Sequence, residues 1–292
     1  MPDSFRNVCW ERRGAFLVGT LMGLAYLTYL CPGLYWRDAG ELSAAVHTMG
    51  VAHPTGFPLY LLLSKLVSFV PLGSVAFRVN LVSAIASAVA IGLTYRIVLR
   101  LAGRSGWPEH AASAAAALVL GSSTTLWLHA TTAEIYAFNL LATAVLVWWT
   151  IQFHTDGQWR RVLSLAVLTG LGCGLHITFL MTAGICWLFV AKRLWSERRE
   201  VGKSFPLRAV ILSTLVLGMV AACVVLYLPL RASQQPWVNW GSITDFAGFW
   251  EHISGGRIRQ AYGAEMGAFA RLDTNLTMAL EQLFAQCSWG VI

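Results

Sequence analysis

Charged residues are scarce in this 292-residue chain, where they make up 12% of the sequence, against about 25% in typical soluble domains. This shortage excludes an ordinary water-soluble globular protein. Cysteine pairs of the CxxC type are missing too, and the six cysteines are scattered, which excludes a zinc site or a disulfide framework. The 21 basic residues are spread between apolar runs rather than gathered on one face, which argues against nucleic-acid binding.

Apolar residues dominate instead, at 57% of the chain with a mean hydropathy of +0.60. A membrane-spanning helix needs about 20 mostly apolar residues. The sequence therefore predicts an all-α polytopic membrane protein, a helical bundle with about seven spans. The corresponding apolar runs are 14–33, 79–101, 111–129, 134–153, 162–176, 177–191 and 207–229.

One further apolar run, 58–72, is ambiguous. It is bounded by Pro58 and Pro71 and has Lys65 at its centre, which favours a short interfacial helix over a crossing. With that assignment, 14 of the 21 basic residues lie on one side of the membrane. The positive-inside rule makes this side cytoplasmic and places the N-terminus there. The first external loop, 34–78, then lies on the non-cytoplasmic face.

The end of the chain, 283–292, reads as the beginning of another apolar run. We therefore expect a transmembrane module at 1–230 and an external region at 231–292 that leads to a further span. On this interpretation the sequence is a piece of a longer protein.

The first external loop contains the strongest candidate site. Asp38 and Glu41 are three residues apart at the start of a short amphipathic helix, and we expect it to lie on the membrane surface. One interpretation is a capping box, with Asp38 as N-cap and Glu41 at the third helical position. The other is a general base or metal ligand, since carboxylates above an apolar surface can have raised pKa values. His53 follows in the turn HPTGFP, which is either an ordinary loop or a rigid mount for one imidazole.

Other candidates stand at the mouths of predicted spans on the same face. Glu134 opens the fourth span, three residues after Thr131, so it is either part of another capping box or a functional carboxylate. Tyr136 follows as a substrate-binding candidate. His176 lies in the turn between the fifth and sixth spans, where it is either structural or functional.

The segment after the seventh span supplies three more candidates. Arg231 either extends to the lipid headgroups or binds a substrate phosphate, for which a guanidinium is well suited. Asn239 and Trp240 could hydrogen-bond and stack on a sugar, or simply anchor the loop.

Several of these segments resemble one membrane family. The run from RDAGELSAAVHTMGVAHPTGFPLY onwards is similar to the opening signature of the animal plexin-type transmembrane O-mannosyltransferases and their bacterial relatives. AEIYAFN, GLGCGLHIT and YLPLRASQQPWVNWGSITDFAGFWEHISG match as well, in family order, and together cover nearly all of 34–262. Thr55 departs from the family pattern, which more often has a second proline there.

The resemblance implies a glycosyltransferase of the GT-C superfamily that uses a polyprenyl-phosphate-linked sugar. Its active site would lie at the external face, with the acidic position of the family falling on Asp38 and Glu41 beside it. We expect a hexose such as mannose to pass to a hydroxyl acceptor, for example a protein Ser or Thr. In this hypothesis His53, His176 and Arg231 bind the donor phosphate, and Glu134, Tyr136, Asn239 and Trp240 bind substrate.

Two other functions stay open at this stage: a transporter or lipid-linked sugar flippase, and an inactive assembly partner. The scarcity of charge within the spans favours the enzyme. No cofactor is firmly predicted, and participation of a divalent metal is left open. The expected partners are the lipid-linked sugar, a protein or glycan acceptor and the bilayer, with the bacterial inner membrane favoured over the endoplasmic reticulum.

Overall fold

The computed structural model describes residues 3–201 and 207–256, together with residues 258, 277, 278, 280 and 281. These residues are helical, apart from connecting turns and one isolated parallel bridge between Val51 and Asn239. The predicted all-α class is confirmed. In chain order the helices are α1 Asp3–Thr28, α2 Ala39–Thr48, α3 Pro58–Val67, α4 Val75–Leu101, α5 Trp107–Ser122, α6 Thr124–Thr131, α7 Ile135–Asp156, α8 Trp159–Gly172, α9 Ile177–Val201, α10 Leu207–Val225, α11 Tyr227–Ala232 and α12 Phe246–Ile253.

Within the described ranges, four helical segments are long and apolar enough to cross a membrane. They are Val75–Leu101, Ile135–Asp156, Ile177–Glu197 and Leu207–Ala232. Helices α5 and α6 would form a fifth only as a broken span, because they meet at a bend of 66°. The 14 residues of α8 measure only about 21 Å, less than the hydrocarbon core of about 30 Å. The chain is thus a multi-pass membrane protein, but the predicted total of about seven spans is not confirmed.

Helix α4 is the central element of the bundle and packs against α1, α5 and α7. Two glycines permit its close approach to α1. A Cβ atom on Gly19 would lie 2.9 Å from the carbonyl oxygen of Ala88, and one on Gly92 would lie 2.8 Å from that of Ala15. Small residues at such crossings let helix backbones pack tightly where lipid supplies no hydrophobic driving force.

The first external loop folds into the two short helices that the sequence predicts, α2 and α3. Their apolar faces, including Leu42, Val46 and Leu61, are fully buried over the start of α4 and against Leu228 of α11. This burial fixes the loop as part of the bundle. Half of the expected external region at 231–292 lies outside the described residues, so that domain division stays a prediction.

Candidate active site

Asp38, Glu41 and His53 come together above the start of α2. The His53 main-chain N–H donates to Glu41 Oε1 at 2.7 Å, and its ring Nδ1 lies 3.2 and 3.1 Å from the two carboxylate oxygens of Glu41. The other ring nitrogen, Nε2, is 3.9 Å from Asp38 Oδ2. Glu41 therefore fixes the imidazole from one side, and Asp38 stands at the other.

Neither predicted capping box forms. Asp38 occupies the N-cap position of α2, but its side chain makes no capping hydrogen bond, and Glu41 bonds His53 instead. Glu134 is itself the N-cap of α7, also without a side-chain cap, while the Thr131 hydroxyl donates to Trp127 O within α6. The capping interpretation is wrong at both places, which leaves these carboxylates for other roles.

The charges of the cluster favour a protonated imidazole at His53. Burial lowers the pKa of His53, but the hydrogen bond and charge of Glu41, with the charges of Asp38 and Glu134, outweigh burial and leave the pKa raised. The Asp38 side chain is 47% exposed, against 22% for Glu41. Asp38 is therefore the carboxylate that an incoming ligand can reach.

Glu134 is the buried carboxylate of the site. The residue is 3% exposed, and its Oε2 has no hydrogen-bond partner among the described residues. Burial, reinforced by the negative charge of Asp38, raises the pKa of Glu134 to about 7, while Arg37 and His53 oppose the shift. Around neutral pH this group can therefore hold or release a proton.

Buried hydrogen bonds fix the path of the chain into Asp38. Asn80, fully buried in α4, donates from Nδ2 to the carbonyl oxygens of Cys31 and Gly33 at 2.7 and 2.9 Å. The Cys31 N–H donates to Thr131 O at 2.9 Å. The end of α1 is thus tied to both α4 and α6 before the loop turns towards the site.

The HPTGFP turn is held against the turn between α8 and α9. Gly56 adopts a φ of +84°, which glycine tolerates best, and a Cβ atom there would lie 2.5 Å from a methyl group of Leu228. The Thr55 hydroxyl donates to Leu175 O at 3.2 Å, and the Leu59 N–H donates to Gly174 O at 3.1 Å. These contacts bring His176 to the same site as His53.

His176 is oriented by a short hydrogen-bond chain. Asn139 Nδ2 donates to the Thr178 hydroxyl at 3.0 Å, and that hydroxyl lies 3.0 Å from His176 Nδ1. The Thr178 N–H also points to Nδ1. Nδ1 is therefore the acceptor, so the proton of the neutral ring is assigned to Nε2. Burial and the positive charge of His53 lower the pKa of His176, in keeping with this neutral form.

A row of aromatic and imidazole rings forms one wall of the site. Centroid distances between successive neighbours run from 4.8 to 6.4 Å. The row consists of His129, Tyr136, His176, Phe57, His53 and Trp240. Such faces suit the apolar sides of a sugar ring, while the imidazoles and the phenol provide hydrogen bonds.

A single backbone bridge brings Trp240 into this wall. The Val51 N–H donates to Val238 O at 2.8 Å, and the Trp240 N–H donates to Val51 O at 3.1 Å. Asn239 is turned back, since its Nδ2 donates to Ala232 O at 3.3 Å. Trp240 therefore borders the imidazole of His53, whereas the side chain of Asn239 braces its own loop.

Arg231 lies at the other end of α2. Its Nε donates to Met49 O at 2.6 Å and its Nη2 to Thr48 O at 3.1 Å, while Nη1 bonds Gln234. Ten residues of α2 separate these carbonyls from Asp38 by about 15 Å. The structure thus does not bring Arg231 together with the carboxylates, and a phosphate-binding role for it stays a prediction.

Three residues of the site were not predicted from the sequence: Arg37, His129 and Phe57. Arg37 is exposed beside Asp38, makes no ion pair within the described part of the chain, and its charge acts on Glu134. His129 and Phe57 belong to the ring wall. Arg37 and Phe57 lie inside motifs quoted above, and His129 lies five residues before Glu134. The available signal was therefore their nearness in sequence to Asp38, His53 and Glu134.

The three clustered side chains could also bind a cation. One ligand atom each from Asp38, Glu41 and His53 lies within 4.8 Å of the others. Two carboxylates and an imidazole form a donor set that suits a divalent metal such as Mn²⁺. The donor chemistry fits, and metal binding stays a prediction.

Comparison with known proteins places this geometry in a family. Residues 38–199 match the family described as "Protein O-mannosyl-transferase TMEM260 N-terminal domain", and this range includes Asp38, Glu41, His53, Glu134 and His176. The chain belongs to this family. The predicted resemblance to the O-mannosyltransferases is confirmed.

Two relatives with established names extend the match beyond that domain. The chain is 31% identical to "Protein O-mannosyl-transferase TMEM260" of Mus musculus over 278 residues, which cover 92% of this chain and 37% of the relative. It is 23% identical to "Protein O-mannosyl-transferase tmem260" of Dictyostelium discoideum over 276 residues, 87% of this chain and 32% of that relative. The chain thus spans about a third of the length of these relatives. No solved structure matches it.

Proposed function

We propose that this chain forms the catalytic module of a GT-C-type O-mannosyltransferase. The module would transfer mannose, with inversion, from a polyprenyl-phosphate donor to a hydroxyl acceptor such as a protein Ser or Thr. The observation that carries the proposal is the half-exposed Asp38 carboxylate beside a His53 imidazole that Glu41 holds in place. Relatives named as protein O-mannosyl-transferases support the reaction class.

Asp38 acts as the general base in this proposal. The acceptor oxygen attacks the anomeric carbon, its proton passes to an Asp38 oxygen, and the bond between the anomeric carbon and the phosphate oxygen breaks. Such proton transfer contributes about 10²- to 10⁴-fold to rate. A base needs access to the acceptor, and Asp38 is the most exposed carboxylate of the cluster.

His53 stabilises the leaving phosphate. Negative charge grows on that group as the glycosidic bond breaks, and a protonated imidazole next to an apolar wall interacts with it strongly. Glu41 keeps His53 charged and oriented. Arg37, exposed beside Asp38, supplies a second cation near the reaction, in the role that the sequence assigned to Arg231.

The ring wall binds the sugar. Trp240 and Tyr136 offer aromatic faces for stacking, and the Nε2–H of His176 offers a hydrogen-bond donor to a sugar hydroxyl. Glu134, in its ionised form, accepts from a hydroxyl of sugar or acceptor. A divalent cation held by Asp38, Glu41 and a neutral His53 would replace the imidazolium as the positive charge that stabilises the phosphate.

The proposed setting is a membrane whose non-cytoplasmic face carries the site, with the bacterial inner membrane favoured over the endoplasmic reticulum. The predicted charge asymmetry of the loops supports this orientation. The donor arrives within the bilayer, and the short helices α2 and α3 place the carboxylates beside the ends of the candidate spans.

The test is an assay that scores transfer and translocation separately. Proteoliposomes containing the chain receive polyprenyl-phosphate-[³H]mannose and a Ser/Thr-rich peptide. We expect the peptide to become labelled with [³H]mannose. Parallel samples treated with EDTA, with and without added Mg²⁺ or Mn²⁺, measure whether this transfer requires a divalent metal. Movement of the donor across the bilayer without labelled peptide would identify a flippase, and neither product would identify an inactive partner; both results overturn the proposal.

A further inference from the structure

A cavity lies among α4, α7 and α9, away from the candidate active site. It has a volume of about 900 Å³ and is lined by the last turn of α4, by residues 147–155 of α7 and by residues 182–197 of α9. Its size lies within the range of about 300 to 1,000 Å³ typical of small-molecule sites. Nothing in the proposed transfer reaction uses this cavity.

The cavity and the candidate active site lie at opposite ends of the same helices. Glu134 precedes the first residue of α7, whereas Thr155, which lines the cavity, is next to the last. The 22 residues of α7 measure about 33 Å. Because this length matches the hydrocarbon thickness of about 30 Å, a span with Glu134 at one membrane boundary has the cationic end of the cavity at the other.

The walls of this cavity are apolar and its end is cationic. Val147, Ile151, Ile185 and Phe189 provide apolar surface between α7 and α9. Ile185 and Phe189 are more than half exposed, so the cavity opens sideways from the bundle.

Two of the cations at the end of the cavity have no ion-pair partner in the described part of the chain. Arg193 is held by Glu197 at 2.9 Å and donates to His154 O. Arg100 and Lys192 make no ion pair among the residues that the structure describes. With three cations and one acid, the lining has an excess of positive charge, and this excess attracts an anion.

We propose that this cavity binds an anionic glycerophospholipid, with the phosphate at the Arg100 and Lys192 end and an acyl chain along the apolar walls. Basic pockets between transmembrane helices at the cytoplasmic boundary recognise anionic lipid headgroups in this way. A wholly apolar ligand would leave two cations unmatched, and a free phosphate would leave the apolar walls unused. The combination of charge and apolar surface therefore selects an amphiphile with a negative headgroup.

Lipid titrations of the purified chain in a neutral detergent test this proposal. Binding is measured by thermal unfolding and by native mass spectrometry. The added ligands are dioleoylphosphatidylglycerol, dioleoylphosphatidylcholine, a polyprenyl monophosphate and inorganic phosphate. We expect saturable binding and a raised Tm with phosphatidylglycerol, and neither with phosphatidylcholine nor with inorganic phosphate. The double variant Arg100→Gln/Lys192→Gln is expected to weaken that binding by about thirtyfold, since each basic residue near an anionic headgroup contributes about 1 kcal/mol.

The matched control is Arg160→Gln/Arg208→Gln. It removes the same charge from the same end of the bundle, but neither residue lines the cavity, so we expect unchanged phosphatidylglycerol binding. Ile185→Trp fills the apolar part of the cavity while retaining its charges, so we expect it to reduce phosphatidylglycerol binding as well. This variant takes the place of the double variant if the double variant does not fold. Equal binding of phosphatidylcholine, or undiminished binding in both cavity variants, overturns the proposal. Binding of the polyprenyl phosphate without phosphatidylglycerol also overturns it, because the cavity would then belong to the sugar donor.

Discussion

Glu134 is the residue whose ionisation most directly links the site to the stability of the protein. Its pKa is raised by burial to about 7, from an ordinary value of 4.5. Between these values the folded state binds more protons than the unfolded state, so stability falls as pH rises from 4.5 through 7 and stays lower above it. The carboxylate therefore weakens the fold at the pH where it is ionised.

Replacement of this carboxylate by an amide tests that argument. We expect Glu134→Gln to raise the Tm above that of the wild type at pH 8 by several degrees, since each 1 kcal/mol of added stability corresponds to about 2–4 °C in chains of about 150–250 residues. The gain should shrink as the pH is lowered to 4.5. Thermal unfolding in detergent at both pH values measures it, and a gain independent of pH would contradict the raised pKa of Glu134.

Glu41 sets the charge of His53, and this makes a prediction for the pH dependence of transfer. Because the pKa of His53 is raised, the imidazolium persists to higher pH, and the rate should fall as pH rises through that pKa. In Glu41→Gln the fall should move to lower pH, since the amide carries no negative charge. The pH–rate profile of mannose transfer measures this shift, and Glu109→Gln at the start of α5 is the control. If the pH at which the rate falls is the same in Glu41→Gln as in the wild type, a charged His53 takes no part in the reaction.

The sequence predicted the nearness of Asp38 and Glu41, because residues three apart at a helix start share a side. It also provided His53, through a turn rich in proline and glycine. The sequence could not show whether Asp38 and Glu41 cap α2 or pair with His53, because both roles require the same residue types. The position of the His53 ring between the two carboxylates distinguishes these roles in the structure.

At the level of elements, α2 is held at its C-terminal end by Arg231. The two carbonyls that the guanidinium contacts are among those a helix end leaves without partners. A lysine has one ammonium group in place of the planar fork and cannot reproduce both contacts. Arg231 is therefore a positioning residue for α2 in our account, distinct from the phosphate-binding role that the sequence indicated.

The variant Arg231→Lys separates these roles. We expect a lower Tm, by an amount equivalent to about 1–3 kcal/mol for lost hydrogen bonds to a charged group, and an unchanged KM for the donor. Arg104→Lys is the control, because Arg104 is 85% exposed. A raised donor KM with an unchanged Tm would instead restore the phosphate role.

Long-range contacts limited the prediction of elements. Arg231 and Met49 are 182 residues apart, and the Val51–Asn239 bridge joins equally distant loops. Neither leaves a periodic pattern in the sequence, because each depends on how the ends of α2 and α11 are packed. The helices α2 and α3 were predictable, since their apolar spacing and flanking proline and glycine are local signals.

At the scale of the whole molecule, the account requires the active site and the lipid cavity to face opposite sides of the membrane. Trp237 is 96% exposed near the site, and Trp107 is 83% exposed beyond the far end of α4. We expect a membrane-impermeant maleimide to label Trp237→Cys in intact cells and to label Trp107→Cys only after permeabilisation. The unsubstituted chain corrects for native cysteines, and the reverse pattern would invert the topology.

The number of spans was the least predictable property of the whole chain. The apolar runs in the sequence do not distinguish a straight crossing from the bent pair α5–α6 or from the short α8, because each of these segments contains such a run. Bend angle and length separate them, and both depend on packing. The family assignment needed no such detail, since its motifs lie in the loops at one end of the bundle.

The most direct test of the central claim, that Asp38 accepts the acceptor proton, is the initial rate of mannose transfer by Asp38→Asn at matched protein levels. The control is Asp245→Asn, because Asp245 caps α12 by accepting from the Gly248 N–H at 2.7 Å, and asparagine caps a helix equally well. We predict that Asp38→Asn loses about 10²- to 10⁴-fold in rate with wild-type Tm, while Asp245→Asn stays near wild type. A near wild-type rate in Asp38→Asn would contradict the account.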